Sequence, residues 1–142
     1  MDFTVNSYNI QPPSFQAHLN RNTRKCITRG ILTEIRKEPN LEVAMKKFNE
    51  LSNKYDNIKK LLAEEFGDGT FALYNENGLS PIASKISFWD GKSYKAFDIP
   101  EEVQNEIKVV DKSNIFTTKF KIMEFPADKL DWLTEFFSKI RV

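Results

Sequence analysis

The sequence predicts an α+β fold in which a small antiparallel sheet of three or four strands packs against a long helix and a C-terminal helix. Three observations predict it: a helical apolar repeat over 41–66, strand-type alternation over 115–125, and a two-residue hairpin signal at Asp90-Gly91 between apolar segments. The 142 residues fit one domain, with 1–22 as an extended arm and 23–142 as the α+β body.

The N-terminal arm is rich in apolar side chains but has no repeat. Pro12-Pro13 prevents a helix there, and Phe3, Tyr8 and Phe15 make the arm more aromatic than an ordinary flexible tail. We expect these rings to dock, either on the protein's own body or on a partner. A short helix is predicted at 23–38, because isoleucines recur there at every fourth position.

The longest helix is predicted at 41–66. Apolar residues alternate there in steps of three and four through three heptads, a spacing typical of a seam that packs on another helix or another chain. The seam comprises Leu41, Ala44, Phe48, Leu51, Tyr55, Ile58 and Leu62. Asn40 can cap the start of this helix, and Gly67 can end it.

The remaining elements are predicted from changes in period and from turn residues. Strands are expected at 70–74, 82–89, 93–99 and 115–125, and a helix at 100–110 that Pro100 would begin. The final helix, at 128–140, has an apolar set wider than one buried face needs. We therefore expect Trp132 and Phe136 to remain available to a partner.

Several classes of chemistry are excluded by residue counts. One cysteine excludes a disulfide framework and a multi-cysteine zinc site, and one histidine excludes a histidine cluster, so we predict no catalytic residues, no metal and no cofactor. Cys26 and His18 are interpreted as a buried structural thiol and a surface imidazole. No apolar segment reaches membrane-spanning length and the N-terminus does not resemble a signal peptide, so a cytoplasmic protein without membrane contact is expected.

The leading hypothesis is a non-enzymatic binding or regulatory protein that occupies a surface of a macromolecular partner. A phage or mobile-element inhibitor or accessory factor would have this size and composition. Buried aromatic anchors dominate interface energetics, and a three-heptad seam can also pair between chains, so a protein partner or self-association is predicted. The proposed partner-binding residues are Phe3, Tyr8, Phe15, Trp132 and Phe136.

The first alternative is a nucleic-acid-binding protein that uses the basic segment 21–37. Residues 1–37 carry six basic and two acidic groups, whereas 38–142 carry 15 basic and 18 acidic groups. Basic side chains neutralise phosphates, and aromatic rings can stack on bases. The candidate residues are Arg21, Arg24, Lys25 and Arg29, with Lys119 and Lys121 on a sheet face that would also carry Lys85, Trp89 and Lys95.

The second alternative depends on the acids Asp68 and Asp90 and on Lys92. Their pattern, acid…acid-x-Lys, resembles the signature of the PD-(D/E)xK nuclease family, and the predicted α-β-β-β-α-β order over 41–125 is similar to that family's core. The resemblance implies Mg²⁺-dependent phosphodiester cleavage, with Glu64 or Glu65 as a further ligand. The family places acid-x-Lys inside a strand, whereas Asp90-Gly91 is predicted to be a turn, and no proline precedes Asp68.

Overall fold

A computed structural model of the chain describes residues 16–76, 82–113, 115–116 and 119–140. The α+β class is confirmed. The helices are α1 (Arg21–Arg36), α2 (Leu41–Glu65), α3 (Glu101–Gln104) and α4 (Leu130–Ile140), the last preceded by a 3-10 turn at Ala127–Lys129. The strands are β1 (His18–Leu19), β2 (Thr70–Tyr74), β3 (Lys85–Trp89), β4 (Tyr94–Asp98), β5 (Lys108–Ser113) and β6 (Lys119–Glu124).

The strands form two sheets. A four-stranded sheet has the order β1-β2-β3-β4, and β5 and β6 pair separately as an antiparallel two-stranded ribbon. β1 runs parallel to β2, and the other two pairs are antiparallel, so the larger sheet is mixed. β1 lies within the segment 1–22 that the sequence predicted as an extended arm. Ala17 and Leu19 (each 3% exposed) are buried beside β2, where the parallel pair forms.

The helix predicted at 100–110 is wrong beyond its first turn. α3 ends at Gln104, and 108–113 form β5. Val109 and Val110 lie opposite Met123 and Ile122 in the ribbon, a pairing that suits β-branched side chains better than a helix does. The ribbon also separates Lys119 and Lys121 from the sheet that carries Lys85 and Trp89, so the single lysine-bearing face that the sequence suggested does not form.

Helix α1 is fixed to the C-terminal part of the chain by a close backbone approach. The Asn20 side chain caps its start by accepting from the Thr23 amide at 2.9 Å. At Gly30 a Cβ atom would lie 1.7 Å from the carbonyl oxygen of Phe125, so this position admits no side chain. One turn earlier, the carbonyl of Cys26 accepts from the Phe125 amide at 3.1 Å.

Helix α2 buries only part of its predicted seam. Ala44, Leu51, Ile58 and Leu62 are buried, whereas Leu41 is 75% exposed and Phe48 is 42% exposed. The helix packs on α1 and α4 and meets the sheet at β1. In the described part of the chain, no helix is both long and apolar enough to cross a bilayer.

The four-stranded sheet has one face in the core and one face toward solvent. On the inner face, the ring of Phe71 contacts Phe137 of α4 at a centroid distance of 4.9 Å, and Ile86 is 1% exposed. The outer face holds the alternate residues of each strand, among them Trp89 and Tyr94, which are directly paired. Both of these rings are about half exposed, at 50% and 55%.

Candidate nucleic-acid interface

The four basic residues predicted in the N-terminal segment come together on one side of α1. Arg21, Arg24, Lys25 and Arg29 follow the three- and four-residue spacing that places side chains on one helix face. Three of them are exposed and Arg29 is partly so. These four residues, here called the basic face, extend over about 12 Å of helix axis at the usual rise per residue.

Two open clefts border the basic face. One, of about 470 Å³, is lined by its four cations and Thr28. The other, of about 630 Å³, is lined by Arg24 together with His18 of β1 and Lys59 and Lys60 of α2. No Asp or Glu among the described residues lines either cleft. The surface therefore carries positive charge from two helices, of which Lys59 is paired with Asp56 at 3.3 Å.

The cations of the basic face differ from several lysines elsewhere on the described chain in that they form no ion pairs. Most lysines that form ion pairs do so on other surfaces, as Lys47 does with Glu34 and Glu38 at 3.2 and 3.3 Å. Within the described residues, none of the four basic-face cations forms an ion pair with a carboxylate. Arg24 instead donates through its guanidinium to the carbonyl of Leu19 at 2.6 Å, which fixes this arginine beside β1.

The position of the basic face on the helix is unfavourable for stability. The first turn of α1 contains no acidic residue, and three of the four cations occupy the first two turns. A helix N-terminus carries partial positive charge, so cations there are destabilising, whereas acids are stabilising. Stability of the helix therefore does not explain this arrangement.

Lys119 and Lys121 lie on a different element. Both are exposed on β6 of the ribbon, and Lys121 pairs with Asp111 across the strands at 2.7 Å. The ribbon also carries Phe120, which is 45% exposed, and continues to Ile115 and Phe116. The β6 end of the ribbon packs on α1, where Thr33 donates to Glu124 at 2.8 Å.

The residues predicted to bind a protein partner are in part outside the described chain. Phe3, Tyr8 and Phe15 lie there. Trp132 and Phe136 are half-buried on α4, where their rings stack at 5.5 Å, and Phe136 also contacts Phe97 of β4 at 5.6 Å. Both rings pack against the core while keeping part of their surface exposed, so their role in partner binding stays a prediction.

Asp90, one of the two acids of the nuclease alternative, uses its carboxylate to stabilise a turn. The Asp90 carboxylate accepts from the amides of Lys92 and Ser93 at 2.9 and 2.7 Å and from the Ser93 hydroxyl at 3.1 Å. The amides of Ser93 and Lys92 hold the pKa of this carboxyl below its usual value. The turn spans 90–93, two residues longer than predicted, with Gly91 at φ +92°.

Asp68 is exposed just beyond the end of α2. No group of three or more His, Cys, Asp or Glu side chains in the described ranges is arranged to hold a metal ion. The single cysteine is buried as interpreted, and burial raises the pKa of the Cys26 thiol to about 12. His18 is exposed and its ring lies 3.5 Å from the Thr70 hydroxyl, so it belongs to the surface beside the basic face.

Sequence reasoning missed Lys59, Lys60 and Tyr94. The two lysines are ordinary polar-face residues of α2, and only the packing of α2 beside β1 brings them to the basic face. Tyr94 had a signal, because a hairpin centred near Asp90-Gly91 places it on the same sheet face as Trp89. Comparisons with protein families, curated proteins and solved structures found no significant match.

Proposed function

We propose that this protein binds nucleic acid and holds the phosphate backbone on the basic face of α1. The observation that carries the proposal is the presence of four cations on one exposed helix face, bordered by two clefts without a carboxylate. Phosphate contacts supply most of the affinity of sequence-independent nucleic-acid binding. A small protein needs no net basic charge for this purpose if its cations are concentrated on one surface.

The cations extend from α1 onto α2. Lys59 and Lys60 of α2 line the cleft that Arg24 also lines, and Lys59 pairs with Asp56 at 3.3 Å. The outer face of the sheet carries acids of its own, because Asp98 of β4 pairs with Lys85 of β3. A phosphate backbone would therefore be held by α1 and the adjoining part of α2.

Fluorescence anisotropy with a labelled 20-nucleotide strand tests the proposal. We expect the wild-type protein to bind at 50 mM salt and R21E/K25E to lose most of that affinity, because two attractive charges become repulsive at the same surface. The matched control is K46E/K139E, which makes the same change in net charge at two exposed lysines elsewhere. Absence of wild-type binding, or an equal loss in the control, would refute the proposal.

A second candidate function is protein binding through the uncovered part of α2. Leu41, Met45 and Phe48 are spaced along one side of this helix and are 75%, 59% and 42% exposed. Contiguous exposed apolar surface of this kind is typical of protein–protein contacts. If this surface associates, L41S/M45S will remain monomeric in sedimentation at concentrations where the wild-type protein forms a complex. A wild-type protein that is monomeric and captures no protein excludes it.

A further inference from the structure

A row of four side chains crosses the outer face of the sheet. The strand registers place His18 beside Thr70, Thr70 beside Trp89, and Trp89 beside Tyr94. We call these residues the outer row. Neighbouring strands are about 4.8 Å apart, so the row extends over about 14 Å. Trp89 and Tyr94, both about half exposed, form one end of the row, and the imidazole of His18 forms the other end.

The middle of the outer face carries small side chains. Ala72, Ser87 and Ala96 are paired across β2, β3 and β4, between the ends of the face that hold Tyr74 and Tyr94. The side chain of Tyr94 raises the pKa of Tyr74, so the two phenols approach each other over this middle row. Tyr94 itself is 55% exposed, so its ring is accessible from solvent.

The outer row continues into the basic face. His18 is the last residue of the row, and it also lines the cleft with Arg24, Lys59 and Lys60. Asn20, two residues later, caps α1, where the basic face begins. The outer row and this cationic cleft therefore share His18 at β1, with Arg24 and Lys60 beside it.

We propose that the outer row stacks unpaired bases, and that the protein is selective for single-stranded nucleic acid. This inference rests on the proposed function, because the basic face would hold the phosphates of the same strand. Proteins that bind single strands combine a positive surface that follows the backbone with aromatic rings on which bases stack. A four-stranded sheet with exposed aromatic residues accommodates two or three bases, and the span of the row matches such a number.

Duplexes cannot use this surface in the same way. Bases in a double helix are stacked on each other, so their faces are not accessible to Trp89 or Tyr94. A duplex retains its phosphates and still interacts with the basic face. The two surfaces therefore make separate contributions: the basic face gives salt-dependent affinity for both forms, and the outer row gives additional affinity for single strands alone.

The test compares W89A, W89F and F120A with the full-length wild-type protein, using labelled dT20, rU20 and a 20-base-pair duplex. Trp89 is 50% exposed and Phe120 of the ribbon is 45% exposed, so F120A controls for loss of an exposed aromatic residue. We expect W89A to weaken binding of dT20 and rU20 by about 5- to 150-fold, the range for removal of a stacking ring. W89F retains a ring and will restore most of the affinity. Duplex affinity will be unchanged in all three variants.

A second readout follows the ring directly. In a W132F background, Trp89 is the single tryptophan, and stacking of bases will quench its fluorescence as dT20 is added. Equal binding of dT20 by W89A and wild type, or an equal loss for the duplex, refutes the outer row as a stacking surface while leaving the basic face intact. If the wild-type protein binds none of the three probes, the proposed function fails and this inference fails with it.

Discussion

The salt dependence of nucleic-acid binding follows from the number of cations on the basic face. We expect the variant R21A/K25A to lose two of the four phosphate contacts without disturbing the fold, because both side chains are exposed and neither forms an ion pair among the described residues. Each contact with a single strand contributes about −0.7 to the slope of log K against log salt concentration. Four contacts give a slope of about −2.8, and two give about −1.4.

These slopes predict different losses of affinity for the two proteins as the salt concentration rises. Between 50 and 200 mM salt, wild-type affinity will fall by about 50-fold and that of R21A/K25A by about 7-fold. Anisotropy titrations of labelled dT20 at four salt concentrations measure both slopes. The control K46A/K139A removes the same charge from other surfaces and will keep the wild-type slope. Any additional lysine contacts shift both slopes equally, so a difference near zero between R21A/K25A and wild type would refute the assignment of phosphates to α1.

Three further predictions concern the scaffold. G30A will destabilise the protein by about 3 kcal/mol and lower its Tm by about 10 °C, because the new Cβ would lie 1.7 Å from the Phe125 oxygen. The control G67A will change the Tm little, because a Cβ at Gly67 would have no atom within 4 Å. Equal melting of the two variants would contradict the close approach at Gly30. T23V will lower the free energy of unfolding by about 1–3 kcal/mol in denaturant titrations, because the Thr23 hydroxyl accepts from the Leu73 amide at 2.9 Å and valine leaves that amide unsatisfied; T28V, which removes an exposed hydroxyl, is the comparison. The Cys26 thiol will react slowly with a thiol reagent at pH 8 and rapidly in guanidinium, because burial raises its pKa to about 12. The raised pKa favours the neutral thiol in the folded state, so its contribution to stability is complete below about pH 9 and is lost as the pH rises toward 12. Rapid labelling of the native protein would show that the thiol is accessible.

The parts of the fold that sequence predicts are those governed by local signals. Caps and apolar period mark α2, and its start at Leu41 follows Asn40, whose side chain accepts from the Val43 amide at 3.1 Å. The helix predicted over 100–110 fails because Pro100 and two acids specify only a first turn, while the pairing of Val109 and Val110 with residues more than ten positions away decides the rest. The parallel strand at His18 is likewise a long-range pairing, which no local pattern reveals.

The residues of the candidate site can likewise be predicted only in part from local sequence signals. Helical spacing is sufficient to place Arg21, Arg24, Lys25 and Arg29 on one face, whereas their role in binding stays a prediction. The approach of Arg24 to Lys59, and the alignment of His18 with Trp89 through Thr70, depend on elements that are 35 and 71 residues apart in sequence. For Phe136 a count of apolar positions on one helix is not sufficient, since it does not include Phe97 of β4, whose ring contacts Phe136 at 5.6 Å.

The contact between Gly30 and Phe125 has a consequence during synthesis. At about 5–20 residues per second, the ribosome needs roughly 5–20 s after Gly30 to add the segment that α1 packs against. During that interval α2 is already available to pack on α1, but the backbone contact at Gly30 is not. We expect ribosome-bound chains that end before residue 125 to be cut by protease within α1 more readily than the full-length chain held on the ribosome by a C-terminal linker, so that one of the first helices to be synthesised reaches its final packing late.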